Sequence, residues 1–169
     1  MKRNHWKVFI VSVVLAEAVG ALSGWLRRDG AKQYAQSIFL PPLSPPGIVF
    51  PIVWTVLFAL MGIGSAIVWL APDSQARSGA LRLYAVQLAF NFVWSLIFFN
   101  WKNYGFAFVW LAALWVLIGW MILRFRALVP AAGWTQVPYF LWVAFAGYLN
   151  LGVWLLNWTG EKAAWGAFS

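Results

Sequence analysis

Aromatic and amide side chains recur at helical spacing in three apolar stretches of the chain. Phe50, Trp54 and Phe58 follow one another every four residues, which places them on one face of a helix. In the stretch QLAFNFVWSLIFF, Gln87 and Asn91 keep the same spacing. Rings and amides on shared faces either stack on and hydrogen-bond to an apolar ligand, or join neighbouring helices.

A third face and one further tryptophan complete the set. In PYFLWVAFAGYLN, Trp142 and Ala146 share one helical face, with Leu149 and Asn150 further along. Trp94 belongs to the second stretch and lies next to its amide face. Amide side chains at membrane depth avoid lipid, so we expect the three faces to point to a common interior.

The side chains that hydrolases and phosphotransferases need are missing from the sequence. The chain has no cysteine, and its single histidine, His5, precedes the first apolar stretch. No Ser-His-Asp set, pair of carboxylates or phosphate-binding glycine loop is present. These features exclude hydrolysis, phosphoryl transfer and cysteine metal sites, and they leave a haem without its usual axial ligands.

The elements that position these faces are membrane-spanning helices. Hydrophobic residues make up 63% of the 169 residues and charged residues 9%, whereas soluble domains are about half apolar and about a quarter charged. The net charge is +8, but the Lys and Arg residues fall in short clusters between apolar runs. Such clusters flank membrane spans and bind anionic lipid headgroups, so the charge does not indicate nucleic acid.

Five stretches are long and apolar enough to cross a bilayer, which takes roughly 20 residues. They cover about residues 8–26, 48–71, 81–100, 104–123 and 134–158. Backbone polar groups in lipid need internal partners, so these spans predict an all-α bundle of five transmembrane helices in a single domain, residues 1–169. We expect a multi-pass membrane protein, with the tryptophans near the span ends at the membrane interfaces.

A proline-rich segment joins the first two spans. The connection at residues 27–47 contains the sequence PPLSPP, and Pro51 follows at the start of the second span. Proline fixes its backbone angle, lacks a donor and pushes the residue before it toward extended geometry. Helix connections are usually about 2 to 8 residues long, so a stiff segment of roughly twenty residues exceeds what closure of the bundle requires. We predict that it forms a lid over one end of the bundle.

Two features of the first span leave alternatives open. Glu17 is the only acidic residue in the spans, which favours a hydrogen bond inside the bundle over proton-coupled transport. A stripe of small side chains at four-residue spacing is formed by Ser12, Ala16, Gly20 and Gly24. Such a stripe lets helix backbones approach closely, either within the bundle or at a dimer seam.

Three segments together resemble one family of membrane proteins. They are PPGIVFPIVWT at residues 45–55, QLAFNFVWSLIFF at residues 87–99 and PYFLWVAFAGYLNLGVWLLN at residues 138–157. The joint pattern is similar to that of the translocator protein family, also called tryptophan-rich sensory proteins or peripheral benzodiazepine receptors, in its bacterial type. The second, third and fifth spans match closely, and the first and fourth match only as hydrophobic segments.

The resemblance implies a five-helix membrane protein, often a homodimer, that binds tetrapyrroles such as protoporphyrin IX in an internal pocket. On this basis we expect a tetrapyrrole-binding sensor or carrier in a bacterial membrane, with porphyrin as its ligand and no required cofactor. Two alternatives stay open. Some bacterial members promote light- and oxygen-dependent porphyrin breakdown, for which Trp54 and Trp142 would be the catalytic residues, and the other alternative is a small-solute transporter.

The resemblance also assigns site residues. The family's pocket tryptophans correspond to Trp54 and Trp142, and its small pocket residue corresponds to Ala146. Of the aromatic pair in the family's first loop only Tyr34 survives, and two tryptophans of the family's lid are aliphatic here. The predicted ligand-binding residues are Tyr34, Phe50, Trp54, Phe58, Gln87, Asn91, Trp94, Trp142, Ala146 and Leu149, and no metal ligand is predicted.

The sterol motif of vertebrate members is not reproduced. That motif places an aromatic and a basic residue after the Leu-Asn pair of the last helix. Leu151 and Leu155 stand in those regions here, and the span carries no Lys or Arg after them. The resemblance therefore gives no support for sterol binding through this segment.

Overall fold

The chain folds as a helical bundle over residues 5–158, the range that a computed structural model describes apart from the side chains of residues 35 and 36. The helices in this range are α1 (His5–Leu26), α2 (Arg28–Ser37), α3 (Val49–Leu70), α4 (Gln75–Phe99), α5 (Tyr104–Leu128), α6 (Pro130–Trp134) and α7 (Val137–Trp158). Five segments are long and apolar enough to cross a membrane, namely α1, α3, α4, α5 and α6 together with α7. The prediction of a five-span, all-α protein is confirmed.

Two helices extend past the apolar stretches that predicted them. α4 begins at Gln75 rather than near residue 81, because Ser74 caps it by accepting a hydrogen bond from the backbone N–H of Arg77 at 3.1 Å. α5 continues to Leu128 rather than ending near residue 123, and its last turn carries Arg126, a favourable charge at a helix C-terminus. Hydropathy therefore located these two spans but not the start of α4 or the end of α5.

The connection between the first two spans contains a helix that was not predicted from the sequence. After a turn at Arg27, α2 occupies the first half of the connection, and residues 38–48, which we call the lid segment, are non-helical. α2 contains no proline, and its Tyr34 packs on Phe98 of α4 with ring centroids 5.4 Å apart. The prolines keep the lid segment out of helical geometry, while Pro51 is accommodated in the first turn of α3.

α1 packs along α3, and the stripe of small residues lies in this contact. A methyl group added at Gly20 would overlap the ring of Phe58. On the facing helix, a Cβ added at Gly62 would lie 2.5 Å from the Cα of Val13. At Gly20, and at the buried Ala16, the stripe is therefore a packing surface inside the bundle, whereas Gly24 at its end faces open space.

Of the remaining spans, α4 packs against α5, and α5 packs against α7. Large, almost fully buried apolar side chains of the core include Met61, Ile97, Leu111, Leu114, Ile118, Met121 and Phe125. The hydroxyls of Ser23 and Ser95, 2.5 Å apart, join α1 to α4. α3 and α7 contact each other only sparsely, and a cleft lies between them.

Large apolar side chains cover the outside of the bundle. On α5, Val109, Val116 and Leu123 are exposed over 61%, 63% and 64% of their surfaces. About seven residues make two helical turns, so these three form one outward stripe that lipid must cover. The tryptophans at the span ends, Trp6, Trp25, Trp101, Trp134 and Trp158, are also exposed, as expected for membrane interfaces.

Candidate functional site

The aromatic face of α3 meets aromatic residues of two other helices. Phe58 is buried, and Phe50 and Trp54 are half-buried. The Trp54 ring centroid lies 5.7 Å from that of Phe58 and 6.5 Å from that of Trp94 on α4. Phe50 contacts Trp142 of α7 edge to face at 5.9 Å. The structure therefore brings the predicted rings of α3, α4 and α7 together.

The amides of α4 are buried as predicted, and both are hydrogen-bonded to a tyrosine of α7. The Nδ2 of Asn91 donates to the Tyr139 hydroxyl at 2.8 Å, and that hydroxyl donates to Oε1 of Gln87 at 2.9 Å. The Tyr139 ring lies edge-on to Trp54 at 6.2 Å. These amides thus join helices beside the rings, and their contact with a ligand stays a prediction. We call Phe50, Trp54, Phe58, Trp94, Tyr139 and Trp142 the aromatic cluster.

Trp142 carries a buried indole N–H that has no acceptor within residues 5–158. The indole N–H of Trp94, in contrast, donates to Oδ1 of Asn150 at 3.2 Å. Leaving a buried donor unpaired costs about 1–3 kcal/mol. Further along α7, the predicted site residues Ala146 and Leu149 are buried. Within the aromatic cluster, the Trp142 nitrogen therefore has unused hydrogen-bonding capacity.

A cleft of about 530 Å³ lies between α3 and α7. Its lining residues are Ile52, Val53, Val56, Leu57, Pro138, Leu141, Trp142 and Phe145. Ile52 and Leu141 are exposed on the outside of the bundle, so the cleft connects the aromatic cluster, through Trp142, with the lipid-facing surface. A second cavity, of about 480 Å³, lies between Gln75 and Arg124 and contains none of the predicted site residues.

Tyr34 of α2 lies one ring away from the aromatic cluster. Its partner Phe98 has its ring centroid 5.5 Å from that of Trp94. Burial, together with the nearby Tyr104, raises the pKa of Tyr34 to about 12. The phenol is therefore neutral at physiological pH and remains a hydrogen-bond donor.

The lid segment lies directly on α7. The hydroxyl of Tyr148 donates to the carbonyl oxygen of Pro42 at 2.8 Å. A Cβ added at Gly152 would lie 2.5 Å from the Cβ of Pro41, so only glycine permits this approach. The helix that carries Trp142 thus also holds the lid segment.

The sequence model of one family matches residues 12–155, which is most of the chain. The chain belongs to the TspO/MBR family. Protein CrtK of Rhodobacter capsulatus is 35% identical over 96% of this chain and 98% of its own length. The translocator protein of Ovis aries is 34% identical over 87% and 89%, and the tryptophan-rich sensory protein of Cereibacter sphaeroides is 30% identical over 94% and 96%.

Membership in the TspO/MBR family confirms the resemblance and, with the five spans, a multi-pass membrane protein. Other expectations stay predictions: the tetrapyrrole ligand, the catalytic use of Trp54 and Trp142, the homodimer and the absence of a required cofactor. Among the described residues, no three His, Cys, Asp or Glu side chains are placed to hold a metal ion together.

Two buried polar residues of this TspO/MBR protein were not identified from the sequence. Tyr139 precedes Trp142 by three residues and so shares its helical face, and a phenol at membrane depth needs partners. Gln136 is fully buried, and its Nε2 donates to the carbonyl oxygen of Leu60 at 3.1 Å. The rule that amides avoid lipid, applied to the start of the fifth span, would have found Gln136.

Proposed function

We propose that this TspO/MBR protein is a membrane tetrapyrrole-binding sensor or carrier, with protoporphyrin IX or a related ring as its ligand. The observation that carries the proposal is the buried indole N–H of Trp142, which finds no acceptor in the described part of the chain and lies where the aromatic cluster meets the cleft. A carbonyl, carboxylate or imine-type nitrogen of a bound ligand would supply the missing acceptor. The names of the relatives, translocator and tryptophan-rich sensory protein, support a role in transport or sensing.

The surroundings of Trp142 suit a flat, apolar ring. Rings from three helices offer faces and edges for stacking, and the lining of the cleft is almost entirely aliphatic or aromatic. Small-molecule sites usually measure about 300–1,000 Å³ and combine apolar walls with few polar groups. The cleft of about 530 Å³ lies within that range. A ligand could reach it laterally from the bilayer.

Tryptophan fluorescence tests the proposal. Protoporphyrin IX added to the protein in lipid nanodiscs should quench the fluorescence and reach saturation. Trp142→Phe should weaken binding about 3- to 10-fold, the value of one hydrogen bond. Trp134→Phe, which alters an exposed ring of α6, is the matched control and should leave affinity unchanged. Quenching that stays linear with porphyrin concentration and is unchanged by a competing ligand would refute the proposal.

Light-dependent porphyrin breakdown is a second candidate, favoured by the closeness of oxidisable rings. Trp54 lies 6.5 Å from Trp94 and 6.2 Å from Tyr139, measured between ring centroids. Illumination of the porphyrin complex with and without oxygen, followed by absorption, distinguishes the candidates. Oxygen-dependent loss of porphyrin that is faster than in empty nanodiscs and slower in Trp54→Phe indicates an enzyme. Equal rates with and without protein indicate a sensor or carrier.

A further inference from the structure

Arg27, between α1 and α2, carries a guanidinium that is turned toward the bundle. Most of the side chain is buried, and its guanidinium carbon lies 4.9 Å from the ring centroid of Phe99 on α4. Guanidinium groups stack favourably on aromatic faces in this way, which holds the charge in place without neutralising it.

No carboxylate within residues 5–158 neutralises this charge. Asp29 pairs with Arg28 at 3.8 Å, and Asp73 pairs with Arg77 at 2.7 Å. The third carboxylate of the range, Glu17, forms no ion pair with Arg27. Burial also lowers the pKa of Arg27. A largely buried cation without a counterion is costly, so an anion bound beside it is favoured.

A continuous series of rings links Arg27 to the aromatic cluster. Phe99, under the guanidinium, contacts Trp94 edge to face at 6.5 Å, and Trp94 in turn lies 6.5 Å from Trp54. Tyr34 also packs on Phe99, at 5.4 Å, and adds a phenol to the same end of the series. These rings therefore form one apolar series that starts in the aromatic cluster and ends at a fixed positive charge.

We propose that Arg27 binds a carboxylate of the ligand whose apolar body occupies the aromatic cluster. The site would thus select planar, apolar ring compounds that carry an acidic side chain over neutral ones of the same shape. A guanidinium suits this task because its fork of N–H donors matches the two oxygens of a carboxylate. The inference rests on the proposed function, because it concerns the same ligand.

A comparison of two ligands with two variants tests the assignment. Protoporphyrin IX and its dimethyl ester share one ring, but the ester has no charge. Arg27→Gln should weaken binding of the free acid about 10-fold or more, because a charge-assisted contact is lost, and should leave binding of the ester within twofold. Arg28→Gln removes a neighbouring charge whose side chain is 53% exposed, and it should change neither affinity.

The outcomes separate the assignment from the proposed function. Unchanged affinity of Arg27→Gln for the acid, or an equal loss for acid and ester, overturns the role of Arg27. An equal loss is also what a structural role, or contact with a lipid phosphate, would produce. Retained ester binding shows that the variant is folded. If Arg27→Gln does not fold, Arg27→Lys takes its place. Arg27→Lys should weaken binding of the acid and leave binding of the ester unchanged, and an affinity for the acid equal to that of the unaltered protein overturns the inference.

Failure of the unaltered protein to bind either ligand saturably refutes the proposed function itself.

Discussion

Asn157 of α7 hydrogen-bonds to both backbone polar groups of Phe39 in the lid segment. Its Nδ2 donates to the carbonyl oxygen of Phe39 at 3.1 Å, and the Phe39 N–H donates to its Oδ1 at 3.2 Å. The side chain thus replaces the backbone partner that an extended strand would find in a sheet. Prolines make the lid segment stiff, and Asn157, together with Tyr148 and Gly152, holds it against α7.

We predict that Asn157→Ala loosens the lid segment. Both hydrogen bonds to Phe39 disappear, so a ligand should enter and leave faster, while affinity changes less than either rate. Stopped-flow quenching by protoporphyrin IX measures both rates. Tyr148→Phe removes only the single bond to Pro42 and should give a smaller change in the same direction. Rates equal to those of the unaltered protein would show that the lid segment does not control access.

Ala146→Thr should weaken binding of bulky ligands about tenfold. Ala146 is buried one turn beyond Trp142 on the same face of α7, so a larger β-branched side chain intrudes on the aromatic cluster. The steric cost of such overpacking is about 1–3 kcal/mol. Ala144→Thr makes the same change at an exposed position of α7 and serves as control. If both variants bind the ligand as tightly as the unaltered protein, Ala146 lies outside the site.

Tyr139→Phe should destabilise the bundle by about 1–3 kcal/mol. Its hydroxyl is the acceptor for Asn91 and the donor to Gln87, so its removal leaves two buried amides short of a partner. Thermal unfolding in detergent, followed by circular dichroism, measures the effect. Tyr148→Phe, at a more exposed phenol, should cost clearly less. A Tyr139→Phe protein as stable as the original would mean that the amides find other partners.

Gly62→Ala should destabilise the contact between α1 and α3. The added Cβ would meet the backbone of Val13, which cannot rotate away as a side chain can. The expected cost is about 1–3 kcal/mol. Gly24→Ala, where space is open, should be neutral or stabilising by up to about 1 kcal/mol, because alanine is the better helix former. Equal stability of the two variants would contradict the close approach of these helices.

Some features of the site could be predicted because they depend on local properties. Spacing of four residues placed Phe50, Trp54 and Phe58 on one face, and the avoidance of lipid by amides placed Gln87 and Asn91 inside. Both hold in the structure. α2 could not be predicted in the same way, because hydropathy detects spans and this short polar helix is stabilised by packing against α4.

The sequence by itself determined that this is a membrane protein, that it has five spans and which helix faces point inward. These properties depend on the length of an apolar run and on the helical period, and both are local to one segment of the chain. Hydrogen-bond partners depend on which helices become neighbours, so only the tertiary structure decided them. The indoles of Trp94 and Trp142 look equivalent in the sequence. One finds Asn150 on a neighbouring helix, whereas the other is buried beside the cleft, where packing brings no acceptor within the described residues.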